Sequence, residues 1–70
     1  MIKVKSSLIQ AVDYDEDTKR LVVEFKGGKT YVYKEVPPEI YKDMLYAESV
    51  GKFFSANIKG NALYPYEKAE

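Results

Sequence analysis

The run Thr30-Tyr31-Val32-Tyr33 stands between a double glycine and a double proline, and this placement constrains the fold more than any other feature. Gly27-Gly28 can adopt the positive φ angles of a two-residue hairpin turn, so the run is predicted to be a strand paired with the one before it. Its two tyrosines then share one face of the sheet. Pro37 and Pro38 cannot donate backbone hydrogen bonds to a ladder, so the sheet is predicted to end there.

Two earlier strands complete the predicted sheet. Leu21, Val23 and Phe25 occupy every second position, which is the pattern of a strand with one buried face. Residues 8–14 are rich in apolar and β-branched types but change face midway, which predicts a strand with a β-bulge. The polar residues 15–19 between these runs predict a hairpin loop. The three strands together form an antiparallel meander.

Two helices are predicted after the sheet. Pro38 suits the first turn of a helix, and apolar residues recur after it at helical spacing. Ser49 is a suitable N-cap for a second helix, whose wide apolar stripe ends at Gly60. Residues 63–66 are predicted to form an extended tail packed on the body, because they are too apolar for a free end. The predicted fold is therefore α+β, one domain over residues 1–70 in the order βββαα, with both helices on one face of a three-stranded sheet.

The composition excludes several classes of chemistry. The 70-residue chain has no cysteine and no histidine, which rules out disulfides, thiolate nucleophiles, histidine acid/base relays and ordinary zinc sites. Eleven basic and eleven acidic residues give a net charge of zero, which argues against reliance on bulk attraction to phosphate. No apolar run approaches the roughly 20 residues of a membrane helix and no secretory signal is recognised, so a cytoplasmic protein without membrane contact is expected. Because so small a domain buries a limited core, a homodimer is also expected.

Two motifs resemble known binding sites but lack residues or secondary structure that those sites require. Gly28-Lys29-Thr30 matches the end of a phosphate-binding loop, but Val23 stands where the first glycine belongs and a strand follows in place of a helix. The carboxylates at positions 13, 15, 17 and 24 match the spacing of a calcium loop, but Thr18 stands where glycine is required. No reactive groups have the spacing of a catalytic assembly either, so the sequence predicts no enzyme, no cofactor and no metal site.

The candidate binding surface combines aromatic and basic residues. Seven tyrosines could form a stacking platform for bases, although those on the sheet face toward the helices are interpreted mainly as core. Phe53 and Phe54 lie about 100° apart on a helix, so one is expected to be exposed and the other buried. The segment 49–66 carries two lysines and no acidic residue, although such lysines can equally be a solvated face. The predicted nucleic-acid-binding residues are Tyr31, Tyr33, Lys52, Phe54, Asn57 and Lys59.

As a whole, the pattern resembles the KTSC domain, a module found at the C-terminus of some lysyl-tRNA synthetases and as a stand-alone protein. The matching positions, which cover nearly the full chain, are Ser6-Ser7, Tyr14-Asp15, Leu21, Phe25, Gly28, Tyr31, Tyr33, Val36-Pro37, Tyr41, Ser49, Gly51, Phe53-Phe54, Ile58-Lys59 and Tyr64. Ser55 departs from the pattern, in which an asparagine usually follows the aromatic pair. The resemblance implies a small domain with no established activity, and its link to a tRNA enzyme implies RNA binding.

Two functional hypotheses remain open. The first is a non-enzymatic module that binds RNA, tRNA or a nucleotide through Lys52, Lys59 and aromatic rings near Phe54. The second is a protein-interaction or self-association module whose tyrosine-rich surface meets another chain, which the neutral net charge favours. Salt dependence separates the two, because phosphate contacts release counterions and weaken steeply with salt, whereas apolar contacts do not.

Overall fold

Five strands and two helices make up the computed structural model, which describes residues 1–69. The elements in chain order are β1 (Ile2–Lys3), β2 (Ile9–Asp15), β3 (Arg20–Phe25), β4 (Thr30–Tyr33), α1 (Pro38–Tyr46), α2 (Val50–Asn57) and β5 (Tyr66–Ala69). The strands form one sheet in the order β1-β2-β3-β4-β5, each antiparallel to its neighbours. The predicted α+β class is therefore confirmed.

Two edge strands extend the predicted meander, so the predicted number of three strands is wrong. β1 has two residues, too few for a period-two pattern, and it pairs with the middle of β2. β5 pairs Tyr66 with Tyr33, and the Lys34 N–H donates to the Pro65 carbonyl at 2.8 Å. This strand covers the edge of β4, whose backbone groups would otherwise lack partners. The two strands are separated in the chain by both helices, so no short turn between them predicts the pairing.

The first hairpin contains the predicted bulge and loop. The register of β2 against β3 shifts between Ile9 and Ala11, so Ile9 and Val12, three residues apart, both lie in the buried core. At the end of β2, the Asp15 carboxylate accepts the N–H groups of Asp17 at 2.9 Å and Thr18 at 3.3 Å. The acidic loop is therefore organised by a local Asx turn.

The second hairpin turns at the double glycine. Gly27 and Gly28 have φ angles of 109° and 95°, which other residues rarely adopt. The Phe25 N–H donates to the Lys29 carbonyl at 2.7 Å, and the Gly28 N–H donates to the Phe25 carbonyl at 3.0 Å. The connection between β3 and β4 spans residues 26–29 and is longer than the predicted two-residue turn.

Both predicted helices are present, with the expected starts. Pro38 is the first residue of α1, where its missing N–H leaves no hydrogen bond unmade. The Ser49 hydroxyl accepts the Lys52 N–H at 3.2 Å and so caps α2. Gly60, with a φ of 76°, lies in the turn that follows α2. Neither helix has the length and apolar character needed to cross a membrane, in the part of the chain that the structure describes.

The helices pack on one face of the sheet through a continuous core. Its buried members are Ile9, Val12, Leu21, Val23, Tyr33, Val36, Met44, Val50, Phe54 and Ile58. The ring of Phe54 on α2 makes edge-to-face contacts with Phe25 at 5.6 Å and Tyr33 at 5.1 Å between centroids. The residues Phe25, Tyr31 and Leu45 are partly buried against the same core. This packing fixes α2 over β3 and β4.

Tyr14 contacts and positions the segment between β4 and α1. Its hydroxyl donates to the Val36 carbonyl at 2.5 Å, and its ring stacks on Tyr41 with a centroid distance of 4.6 Å. The Val36 N–H in turn donates to the Lys19 carbonyl at 2.9 Å. These contacts hold the start of α1 at the end of the sheet opposite the double-glycine turn.

Candidate functional site

The predicted binding residues do not form one surface. Phe54 is fully buried and Tyr33 is 2% exposed, so neither offers a free ring face for stacking. The prediction of Phe54 as a contact residue is therefore wrong: Phe53 is the partly exposed member of the pair. Asn57 is exposed, but its side-chain amide donates to the Phe53 carbonyl at 3.0 Å and is engaged at the end of α2.

A cleft of about 350 Å³ opens at the double-glycine end of the sheet. Its lining residues, called here the basic aromatic cleft, are Leu8, Phe25, Lys26, Gly27, Lys29, Tyr31, Tyr33 and Lys59. Three of the predicted residues meet here, namely Tyr31, Tyr33 and Lys59. Lys52, Phe54 and Asn57 do not line it. Its volume lies at the lower end of the range for small-ligand sites, which run from about 300 to 1,000 Å³.

Aromatic rings form the floor of the cleft. Tyr31 pairs with Val23 across β4 and β3 and is half-buried. Its ring meets Phe25 edge-on at 5.5 Å and lies nearly parallel to Tyr33, at 6.5 Å and 20°. Tyr66 of β5 stacks on Tyr31 at 5.4 Å, so the fifth strand supports the floor from the side. Phe25 and Tyr31 are both partly exposed.

Three lysines surround this floor. Lys26 and Lys29 flank the double glycine, and Lys59 follows α2. The Lys26 N–H donates to the Leu8 carbonyl at 3.0 Å, and the Lys59 N–H donates to the Phe54 carbonyl at 2.9 Å. The Lys29 carbonyl accepts the Phe25 N–H at 2.7 Å, so backbone hydrogen bonds hold all three lysines in place. Among residues 1–69, no acidic side chain lines the cleft, so the three lysines give its described lining a net positive charge in a chain of zero net charge.

The chemistry of this cleft suits a planar ring with an attached anion. Accessible aromatic faces stack on bases, and lysine ammonium groups attract phosphate. Burial raises the pKa of Tyr33 to about 12, and the neighbouring Tyr66 and Tyr31 add to this shift. The Tyr33 phenol is therefore protonated at neutral pH and is a hydrogen-bond donor rather than a base.

Lys52 belongs to a neighbouring cleft of about 460 Å³. Its lining residues, called here the serine-lysine cleft, are Ser7, Leu8, Ser49, Gly51, Lys52, Ser55 and Ala56. Ser55, the position that departs from the resembled pattern, therefore lies at this surface. Leu8 lines both clefts.

A group of acidic residues lies in a different depression. Asp13, Asp15 and Glu16 line a separate depression with Arg20. Within residues 1–69, no three or more acidic side chains are grouped so that they could hold a metal ion.

Sequence reasoning missed the two lysines of the turn and the ring of Phe25. Lys26 and Lys29 lie outside the acid-free segment 49–66, and only the register of β3 against β4 brings them beside Tyr31. The usable signal was the sequence Lys26-Gly27-Gly28-Lys29 itself, a turn with a cation on each side.

The fold and the cleft define a small α+β module with a candidate ligand site at one end of its sheet. The KTSC domain family model matches residues 5–64, and the chain belongs to that family. A solved structure of a KTSC domain protein from Yersinia pestis has a TM-score of 0.88 and 35% identity, covering 97% of this chain and 93% of that one.

Relatives occur at two very different lengths. A protein from Tsukamurella paurometabola is 48% identical over 59 residues, which are 84% of this chain and 88% of the relative. A lysine–tRNA ligase from Nostoc punctiforme is 37% identical over 60 residues, which are 86% of this chain but 11% of the ligase. The chain thus corresponds to a small part of that enzyme.

Proposed function

We propose that this domain binds single-stranded RNA or a nucleotide without catalysing a reaction, and that the basic aromatic cleft is its binding surface. The observation that carries the proposal is the combination, in one cleft, of partly buried rings and three lysines, with no acidic residue among the lining residues that the structure describes. Stacking of a base on an aromatic ring contributes about 1 to 3 kcal/mol. Lysine contacts with phosphate add affinity that decreases with salt.

A role with tRNA is consistent with the relatives named lysine–tRNA ligase. In those proteins the matching region is one part of a longer chain. A positively charged cleft on an accessory module would add RNA affinity to the protein that carries it. Transfer RNA is therefore a suitable probe beside short single strands.

The ionisable groups favour binding over catalysis. Burial raises the pKa of Tyr14, Tyr33 and Tyr41, which keeps these phenols protonated at neutral pH. The hydrogen bond from Lys34 lowers the pKa of Glu67 and keeps that carboxylate ionised. None of these shifts moves a group toward neutral pH, where a general acid or base is most effective.

Self-association is the second candidate function, and one observation favours it. Tyr66 is 58% exposed on β5, the last strand of the described sheet, and Leu63 before it is 71% exposed. An edge strand with exposed apolar side chains is a template for pairing with another chain. A homodimer through β5 would cover both residues.

Titration followed by NMR tests the proposal. Single-stranded RNA, tRNA and a nucleoside monophosphate are each added at low salt, and shifts are expected at the amides of Lys29, Tyr31 and Lys59. The apparent affinity should decrease as salt rises. Sedimentation at the same concentrations measures the oligomeric state. If the protein forms a dimer that changes the NMR signals of Tyr66, and no nucleic acid shifts the signals of the cleft residues, self-association replaces RNA binding as the proposed function.

A further inference from the structure

Leu8 lines both the basic aromatic cleft and the serine-lysine cleft and is 37% exposed. Within the described residues 1–69, neither cleft is lined by an acidic residue. An elongated anion could therefore extend from the first cleft across Leu8 into the second without meeting a carboxylate among the residues that line them.

The serine-lysine cleft has the chemistry of a phosphate contact rather than a base contact. It is lined by the hydroxyl-bearing Ser7, Ser49 and Ser55 and by the ammonium-bearing Lys52, and by no aromatic residue. Serine and lysine side chains are common partners of phosphate oxygens in nucleic-acid complexes. Ser49 accepts the Lys52 N–H at 3.2 Å and still has its hydroxyl hydrogen to donate.

Exposed polar residues of α2 and of the turn after it line the two clefts. Lys52 lies in the first turn of α2, whereas Lys59 lies in the turn that follows the end of the helix at Asn57. Ser55 lies one turn from Lys52 on the same side. All three residues are exposed, with Lys52 and Ser55 at the serine-lysine cleft and Lys59 at the basic aromatic cleft.

We propose that the serine-lysine cleft is a second subsite, which holds a neighbouring phosphodiester of the strand whose base stacks in the basic aromatic cleft. This inference rests on the proposed function. It identifies the ligand as a single-stranded oligonucleotide of two or more residues that crosses Leu8. A mononucleotide occupies the first cleft alone and does not contact Lys52.

The test compares uridine monophosphate with single-stranded oligouridylate on the parent protein and on Lys52→Ala. The variant should bind the oligonucleotide about two- to fivefold more weakly, the range for one exposed ion pair. Its slope of log affinity against log salt should decrease by about 0.7, the value for one single-strand phosphate contact. Its affinity for uridine monophosphate should not change. Lys42→Ala, an exposed lysine of α1, is the matched control and should change neither affinity.

The outcomes separate the two ideas. If Lys52→Ala weakens both ligands equally, or neither, the second subsite is overturned while binding in the first cleft stands. Tyr31→Leu tests the first cleft by itself and should weaken both ligands. If the parent binds neither ligand, or if Tyr31→Leu leaves both affinities unchanged, the proposed function fails and the second subsite fails with it. NMR spectra of each variant verify that it is folded.

Discussion

The hydroxyl oxygen of Ser6 occupies the space where a side chain on Gly51 would begin, since a Cβ at that position would lie 2.8 Å from it. The same oxygen accepts the N–H groups of Leu8 at 3.0 Å and Ile9 at 3.1 Å, so Ser6 cannot move without losing hydrogen bonds. This contact seats the segment before β2 on α2. It thereby positions Leu8, the residue shared by the two clefts.

Gly51→Ala should therefore lower the free energy of unfolding by about 1 to 2 kcal/mol. The expected cost of overpacking is about 1 to 3 kcal/mol, and the better helix propensity of alanine offsets part of it. Urea denaturation measures the difference. The Ser6→Ala background is the control, because without the hydroxyl the same Gly51→Ala change should become neutral or stabilising. An equal cost in both backgrounds would exclude Ser6 as the cause.

The two adjacent phenylalanines of α2 should differ sharply in their contribution to stability. Phe54 is fully buried and contacts the rings of Phe25 and Tyr33, so Phe54→Ala should cost about 3 to 5 kcal/mol. That is comparable to the whole stability of a domain of this size, at about 0.05 to 0.15 kcal/mol per residue. Phe53→Ala, one position away and partly exposed, is the control and should cost clearly less. Thermal denaturation measures the stability of both variants. A nearly equal loss of stability in Phe54→Ala and Phe53→Ala would contradict the described core.

Alkaline pH should destabilise the fold through its buried phenols. The pKa of Tyr33 is about 12 in the folded protein against an ordinary value of 10.0, so the folded state holds this proton more tightly than the unfolded chain. The stability that it contributes is complete below pH 10 and is lost as the pH rises from there through 12. Tyr14 and Tyr41, whose pKa values are also raised, act in the same direction.

Urea denaturation at a series of alkaline pH values measures this effect, with tyrosinate absorbance as the direct titration. Tyr33→Phe should reduce the dependence of stability on pH over this range, because the phenylalanine has no proton to lose. Lysines titrate in the same region but are common to both proteins, so the comparison isolates the phenol. Identical pH dependence in parent and variant would contradict the role of Tyr33.

The elements that were predictable from the sequence are those specified by nearby residues. Pro38 and Ser49 act within one helical turn, and Gly27 and Gly28 act within one hairpin, so their effects could be predicted without knowledge of the rest of the chain. The pairing of β5 with β4 has no such local determinant. It depends on where α1 and α2 return the chain, and that is decided by packing on the sheet.

The candidate site illustrates the same limit. Helical periodicity indicated that Phe53 and Phe54 point in different directions, but which one is buried depends on where the sheet lies. Tyr31 and Lys59 were identified by residue type, whereas Lys26 and Lys29 enter the cleft through the register of the β3–β4 hairpin. The residue types of the site could therefore be identified from the sequence, whereas the spatial proximity of the residues could not.

Reversal of charge at two lysines of the basic aromatic cleft should reduce RNA binding without disturbing the fold. Lys29→Glu with Lys59→Glu is expected to weaken single-stranded RNA by about tenfold at low salt, because two attractive phosphate contacts become repulsive. The melting temperature should change by only a few degrees, since both lysines are exposed. Fluorescence anisotropy with labelled RNA measures the affinity.

The control is Lys5→Glu with Lys42→Glu, two exposed lysines that do not line the cleft. Each substitution changes the charge by two, so both double variants carry a formal charge of −4 in place of zero and exert the same overall repulsion. A larger loss of RNA affinity in the cleft variant therefore reports the position of the lysines and not the net charge. The control variant should lose clearly less affinity. Equal losses in the two variants would mean that RNA senses only the net charge of the domain, and the basic aromatic cleft would no longer be the binding surface.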